Sequence, residues 1–177
     1  MQRKGSLEQF ENTALPYLNA AYNLARWLTQ NPHDAEDVVQ ESYLRALRSF
    51  DSFRAGCDAR AWLLTIVRNT CFTWLRQNRP ACVAAEFDEN IHDAPENWCN
   101  PETVLLEKAD SKLLNDEIAA LPYEYREVLI LREFEGLSYK QVAQVVGVPL
   151  GTVMSRLARA RRNLQRRLCG AQTEAQA

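Results

Sequence analysis

The chain has 177 residues, 46% of them apolar and 25% charged, with only 6 Gly and 7 Pro, which is the composition of a folded, helix-rich chain of one domain or two small ones and excludes a disordered one. No run approaches the roughly 20 apolar residues of a bilayer crossing, and the first residues carry no apolar stretch of a secretion signal, so no membrane insertion and a cytoplasmic location are expected. The net charge of −2 conceals a segregation, with basic against acidic residues numbering 10 against 8 over 1–79, 1 against 8 over 80–110 and 10 against 7 over 111–177.

Phe10, Ala14, Tyr17, Ala21, Leu24 and Leu28 recur at three- and four-residue steps, and the spacing predicts one helix up to Asn31-Pro32. Asp34 then opens a second helix, with Asp34, Glu36, Asp37 and Glu41 near its start and Arg45 and Arg48 near its end, as the helix dipole favours. Val38, Val39, Leu47 and Phe50 are expected to form its apolar side. A third helix is expected from about Asp58 to Asn78, with Trp62, Leu63, Ile66, Val67, Thr70 and Trp74 at helical spacing and Pro80 as its stop. These three elements predict a small bundle over residues 1–79.

Residues 80–101 hold Pro80, Pro95, Pro101 and a surplus of acids without an apolar period, so they read as a linker. Its negative charge is expected to shield basic faces in the free protein. Helicity returns from Glu102 to Ala120, breaks at Leu121-Pro122 and continues through Val128, Leu129 and Leu131 towards Gly136. Ser138 with Gln141 makes a capping-box pattern, Val142, Val145 and Val146 point inward, and Gly147 suits a C-terminal cap. After the turn Val148-Pro149-Leu150-Gly151, Val153, Leu157, Ala160, Leu164 and Leu168 stripe a final helix and leave Thr152, Ser155, Arg156 and Arg159 outward. A second helical domain over 102–170 follows, with a disordered tail over 171–177.

From Leu137 to Thr173 there are seven basic residues and no acidic one, a local field that attracts phosphates. Two helices joined by a short Gly-containing turn, the second with small polar residues and Arg near its start, is the layout of a helix-turn-helix that reads the major groove. A solvated basic helix is the plainer alternative, disfavoured because turn chemistry, apolar stripe and acid-free Arg cluster agree.

Three segments, DAEDVVQESYLRALRSF, FRAGCDARAWLLTIVRN and LPYEYREVLILREFEGLSYKQVAQVVGVPLGTVMSRLARAR, resemble regions 2 and 4 of the extracytoplasmic-function (ECF) sigma factors of bacteria, within the sigma-70 superfamily. The resemblance covers both domains in order. It implies an all-α protein, with a region 2 bundle and a region 4 helix-turn-helix joined by the acidic linker. It implies a non-enzymatic subunit that binds core RNA polymerase, at the clamp helices of the largest subunit and at the flap, and directs it to promoter DNA. An anti-sigma factor is implied as a further partner, able to hold the protein at the inner membrane.

By matching positions, the resemblance assigns polymerase binding to Asp34, Asp37, Gln40, Glu41 and Leu44. It assigns the minus-ten element to Phe53, Trp62 and Asn69, through capture of a flipped base, with Arg60, Arg68 and Arg76 on phosphates. For Trp62 a pure core role stays open. Arg132, Thr152, Met154, Ser155, Arg156 and Arg159 fall to the minus-thirty-five element, with surface pairing to Glu135 as the plainer reading of Arg132. Phe72 and Trp74 are assigned to packing. Thr73 stands where many members carry Asp, and Met154 where many carry Lys or Arg, so an altered minus-thirty-five preference is expected.

Catalysis, cofactors and metals have no support. His33 and His92 are the only histidines, and His92 with Cys99 falls short of a four-ligand site. The five cysteines, Cys57, Cys71, Cys82, Cys99 and Cys169, form no C-x-x-C pair, and reduced thiols are expected. A stand-alone helix-turn-helix regulator, or a sigma mimic that titrates an anti-sigma protein, would use part of the same surfaces.

Overall fold

Pro16 has no N–H to donate, and that interrupts the helix that the apolar period alone would carry unbroken through the N-terminal segment. In the computed structural model, which describes residues 2–54, 56–83 and 111–174, the single expected helix is two: α1 (Gln2–Ala14) and α2 (Leu18–Thr29), separated by a 3-10 turn at Leu15–Tyr17. The apolar face survives the break, since Phe10, Ala14, Ala21, Leu24 and Leu28 are all at most 5% exposed.

Asn31, rather than Asp34, opens the next helix. Its side-chain oxygen accepts from the backbone N–H groups of His33 (2.9 Å) and Asp34 (3.3 Å), and Pro32 takes the first turn, where a missing N–H costs nothing. Helix α3 (Pro32–Ser49) therefore starts two residues earlier than the acidic run suggests. Its inner face is Ala35, Val38, Val39, Ser42 and Ala46, whereas Leu47, expected inside, is exposed. Helix α4 (Ala59–Asn78) buries Ala61, Leu63, Leu64, Val67, Thr70, Cys71 and Leu75 against α2 and α3. Burial pushes the Cys71 thiol up to about 12, so it stays protonated.

Asp58 caps α4 by accepting from Ala61 N at 3.0 Å. That bond, and a second from the Gln141 side chain, hold its carboxyl below the usual carboxylate range. Replacing Asp58 by Ala is expected to cost about 1 kcal/mol. A depressed folded-state pKa contributes stability above the unfolded value and loses it as pH falls through the folded one. The difference in urea midpoint between native and Asp58→Ala protein should accordingly be largest at neutral pH and shrink in acid.

The second half begins with α5 (Ser111–Ala119) and α6 (Tyr123–Leu129), the latter opened by Pro122. A π-helical turn, Ile130–Phe134, follows. Ser138 and Gln141 form the reciprocal capping box on α7 (Tyr139–Val146), and Gly147 ends it at φ 76°, where a Cβ would be strained. Helix α8 (Leu150–Glu174) buries the stripe Val153, Leu157, Ala160, Leu164 and Leu168. It continues to Glu174, into the segment expected as a tail.

The two halves are not held apart. Helices α4 and α7, and α2 and α6, are in contact, and one continuous buried cluster runs from Phe10 to Leu164. Among the described residues there is no strand. The linker beyond Val83, the expected start of the second domain at 102–110, and with them His92 and Cys99, lie outside the described residues.

Candidate nucleic-acid interface

Along α3 the side chains turned away from the core are His33, Glu36, Asp37, Gln40, Leu44, Arg45, Leu47 and Arg48. Asp37 and Gln40 are exposed, and Leu44 is 50% exposed, so an acidic edge adjoins an apolar one. Glu41 accepts from Arg45 at 2.7 Å within the same helix. Asp34 is turned back to the bundle, where Arg79 donates to it at 3.1 Å. Of the five residues expected to meet polymerase, the helix presents Asp37, Gln40 and Leu44 openly and engages the other two in local pairs.

Four aromatic rings gather where α1, the turn after α3 and the start of α4 meet. Phe50 lies stacked on Phe53 (centroids 5.8 Å, planes 9° apart) and edge-on to Phe10 (5.4 Å). Trp62 tilts over Phe53 at 4.9 Å and stands 6.2 Å from Phe50. Phe10 is buried, whereas Phe50, Phe53 and Trp62 are half-buried. Trp62 thus both packs against the core and keeps part of its ring accessible, as a base-stacking ring must.

The arginines of α4 have definite partners. Arg60 donates to Glu135 at 2.7 Å. Arg68 forks onto Glu127 through Nε (2.7 Å) and a terminal nitrogen (3.2 Å), and donates to Asn69 at 3.3 Å. Both acids belong to the second half of the chain. Arg76 and Asn69 are exposed. Phe72, assigned to packing, meets Tyr123 edge-on at 6.0 Å, and Trp27 meets Phe134 at 5.4 Å.

On α8, Met154 (53% exposed) and Ser155 face outward, while Thr152 and Arg159 are half-buried. The Arg156 side chain, expected outward, is only 11% exposed and pairs with Glu124 and Glu127, each at 3.4 Å. Arg132 does not pair with Glu135. It donates to the Leu137 carbonyl at 2.8 Å and lies over the Tyr139 ring at 4.8 Å. Glu135 is instead 6% exposed and faces Arg60.

Glu127 is the residue that sequence reasoning passed over. It is fully buried and shared by Arg68 and Arg156. Burial pushes its carboxyl up, against the pull of the two guanidiniums. For Arg68, burial disfavours the charge, but the hydrogen bond and charge of Glu127 outweigh it and keep the guanidinium protonated. A cue existed: Glu127 stands directly before the run Val128–Leu131, with nothing polar for four positions after it, and an acid there is buried and needs a cation.

The chain matches the families described as Sigma-70 region 2, over residues 14–80, and Sigma-70, region 4, over residues 111–164. It is similar to the RNA polymerase sigma-H factor of Pseudomonas aeruginosa, at 34% identity over 94% of this chain and 89% of the relative. It is similar also to the ECF RNA polymerase sigma-E factor of Escherichia coli, at 33% identity over 90% of this chain and 86% of the relative. Among solved structures, the sigma factor RpoE of Bartonella quintana, crystallised in complex with the anti-sigma factor NepR, superposes with a TM-score of 0.70 at 29% identity, over 91% of this chain and 97% of that one. CnrH, solved with the cytosolic domain of CnrY, shares the fold at a TM-score of 0.66 and 24% identity, over 93% and 90% of the two chains.

Proposed function

Because the chain belongs to the ECF group of the sigma-70 family of non-enzymatic transcription initiation factors, we propose a division of labour among the surfaces just described. Its N-terminal module, residues 1–79, grips core RNA polymerase by the outer face of α3, with Asp37, Gln40 and Leu44 in direct contact and Asp34 and Glu41 recruited from their local pairs. The same module handles the minus-ten element. Phe53, Trp62 and Asn69 hold the displaced base, and Arg60, Arg68 and Arg76 hold the phosphates around it.

The C-terminal module, residues 102–170, lays the start of α8 in the major groove at the minus-thirty-five element, where helix-turn-helix recognition helices dock. Ser155 and Thr152 supply small polar contacts, Arg159, Arg156 and Arg132 bind phosphates or guanine edges, and Met154 offers an apolar contact that suits a thymine methyl group. Residues 80–101 join the two modules. The protein works in the cytoplasm, where polymerase and promoters are, and an anti-sigma protein, as in the RpoE–NepR complex, controls it and can hold it at the membrane.

The observation that carries this reading is the coexistence, in one chain and in family order, of an exposed acidic-apolar helix face with a helix-turn-helix. Run-off transcription with purified core polymerase and genomic templates tests it. New starts at defined promoters are expected only when the chain is added. Duplex binding by the chain alone, with no new starts, would favour a stand-alone regulator and overturn the proposal.

A further inference from the structure

The first six residues of α8 present an uncharged surface. Residues 150–155 carry no charged side chain, and Arg156, the first cation of the helix, is turned back to Glu124 and Glu127. What stands outward is largely apolar: Leu150 is 42% exposed and Met154 53%, and Ala158, one turn further along, is exposed as well. These three recur at four-residue steps and so form one edge of the helix. Beside them Ser155 donates its hydroxyl hydrogen to the Thr152 carbonyl at 3.0 Å, which leaves its oxygen as an acceptor only.

Gly151, on the same turn, points to close approach by another molecule. It is exposed, a Cβ built there meets no heavy atom within 4 Å, and its φ lies outside the left-handed region. Neither the packing nor the backbone of this chain requires glycine at that point, and glycine weakens a helix relative to alanine. We infer that the Leu150–Met154 edge, brought close to the bases over the bare backbone of Gly151, sets minus-thirty-five specificity by packing on two thymine methyl groups, and this rests on the proposed seating of α8 in that groove. Guanine shows only acceptors in the major groove, and the edge has no donor for them. An A·T pair shows the thymine methyl, which suits Leu150 or Met154, and the adenine amino group, which suits the Ser155 oxygen. Four residues advance a helix by about 6 Å and one base step is about 3.4 Å, so the two methyl groups lie about two base pairs apart.

The full chain with core polymerase first selects active templates from promoters randomised over the minus-thirty-five element. Each thymine of the selected element is then replaced singly by deoxyuridine, which removes the C5 methyl and nothing else, and run-off transcription is measured at limiting holoenzyme. Two positions, about two base pairs apart, should lose about fourfold each, the factor for one methyl-sized group returned to water. At one of them the loss should vanish in Leu150→Ala and at the other in Met154→Ala, since a truncated side chain no longer senses the methyl. Selection with Met154→Arg should turn the second position to guanine, for which arginine supplies the donors. Gly151→Ala should match native protein in urea midpoint yet transcribe about tenfold less, because its Cβ has room in the free chain and overpacks against the bases. All three positions are exposed, so circular dichroism should be native throughout.

Transcription indifferent to deoxyuridine at every thymine sinks the inference, as does a methyl dependence that Leu150→Ala and Met154→Ala leave intact, or native output from Gly151→Ala. In each of those results transcription itself proceeds, so the sigma-factor reading stands. If the holoenzyme starts on no template, that reading falls, and the same thymine-to-deoxyuridine comparison is made on duplexes selected by the full chain alone. There, a methyl dependence lost in Leu150→Ala and Met154→Ala upholds the inference, and any other result, absence of binding included, ends it.

Discussion

Replacing Glu127 by Ala is expected to lower the stability of the folded chain by about 3–5 kcal/mol, the scale measured when one partner of a buried ion pair is removed. Glu127 is fully buried, and the Arg68 and Arg156 side chains around it are only 17% and 11% exposed. Truncation therefore strands two guanidiniums in a region where water reaches them poorly. Since domains of this size are stable by only about 5–15 kcal/mol, the variant should unfold at a much lower urea concentration. Glu127→Gln keeps a hydrogen-bond acceptor and the side-chain volume, so its loss should be smaller. A midpoint shift equivalent to less than about 1 kcal/mol for Glu127→Ala would mean that the three charges are solvated and that no buried network exists.

Trp62→Ala is expected to reduce run-off transcription by about 10–100-fold, because stacking of one base on an aromatic side chain is worth about 1–3 kcal/mol. The ring is half-buried against Phe50 and Phe53, so truncation will also cost stability. The two effects separate by temperature and by template. If Trp62 holds a displaced base, the loss persists well below the unfolding temperature and on a template already opened at the minus-ten element, while Trp62→Phe retains most activity. If Trp62 is only a core residue, transcription per folded molecule stays at the native level. Core-polymerase binding should change little in either case, because the α3 face lies on another helix.

Most of the helical architecture is legible locally because its causes are local. The capping box of Ser138 and Gln141, the stop at Gly147 and the stripe from Val153 to Leu168 each depend on residues within a few positions of one another. The misplaced boundaries are local too. Asn31 competes with Asp34 as a cap, and it wins because Pro32 after it is already shaped for a first helical turn. Pro16 splits the first helix for the complementary reason, yet the apolar period passes through it undisturbed, and the period is the stronger cue.

The partners of the arginines are of another kind. Arg68 and Glu127 are 59 positions apart, and Arg60 and Glu135 are 75 apart. No periodicity or turn chemistry connects them. The same holds for Arg156, whose place on α8 suggests an outward side chain but whose length lets it fold back to Glu124 and Glu127. Long basic side chains reach several ångströms from their backbone position, so helix phase alone does not fix where the charge ends up. By itself the sequence determined the helices, their inner faces, the helix-turn-helix and the family, because each is encoded in spacing along the chain. Only the tertiary structure decided that the two halves share one buried core and that Arg60 and Arg68 pair with Glu135 and Glu127 across it, because charge pairing between distant segments is set by which faces meet in space.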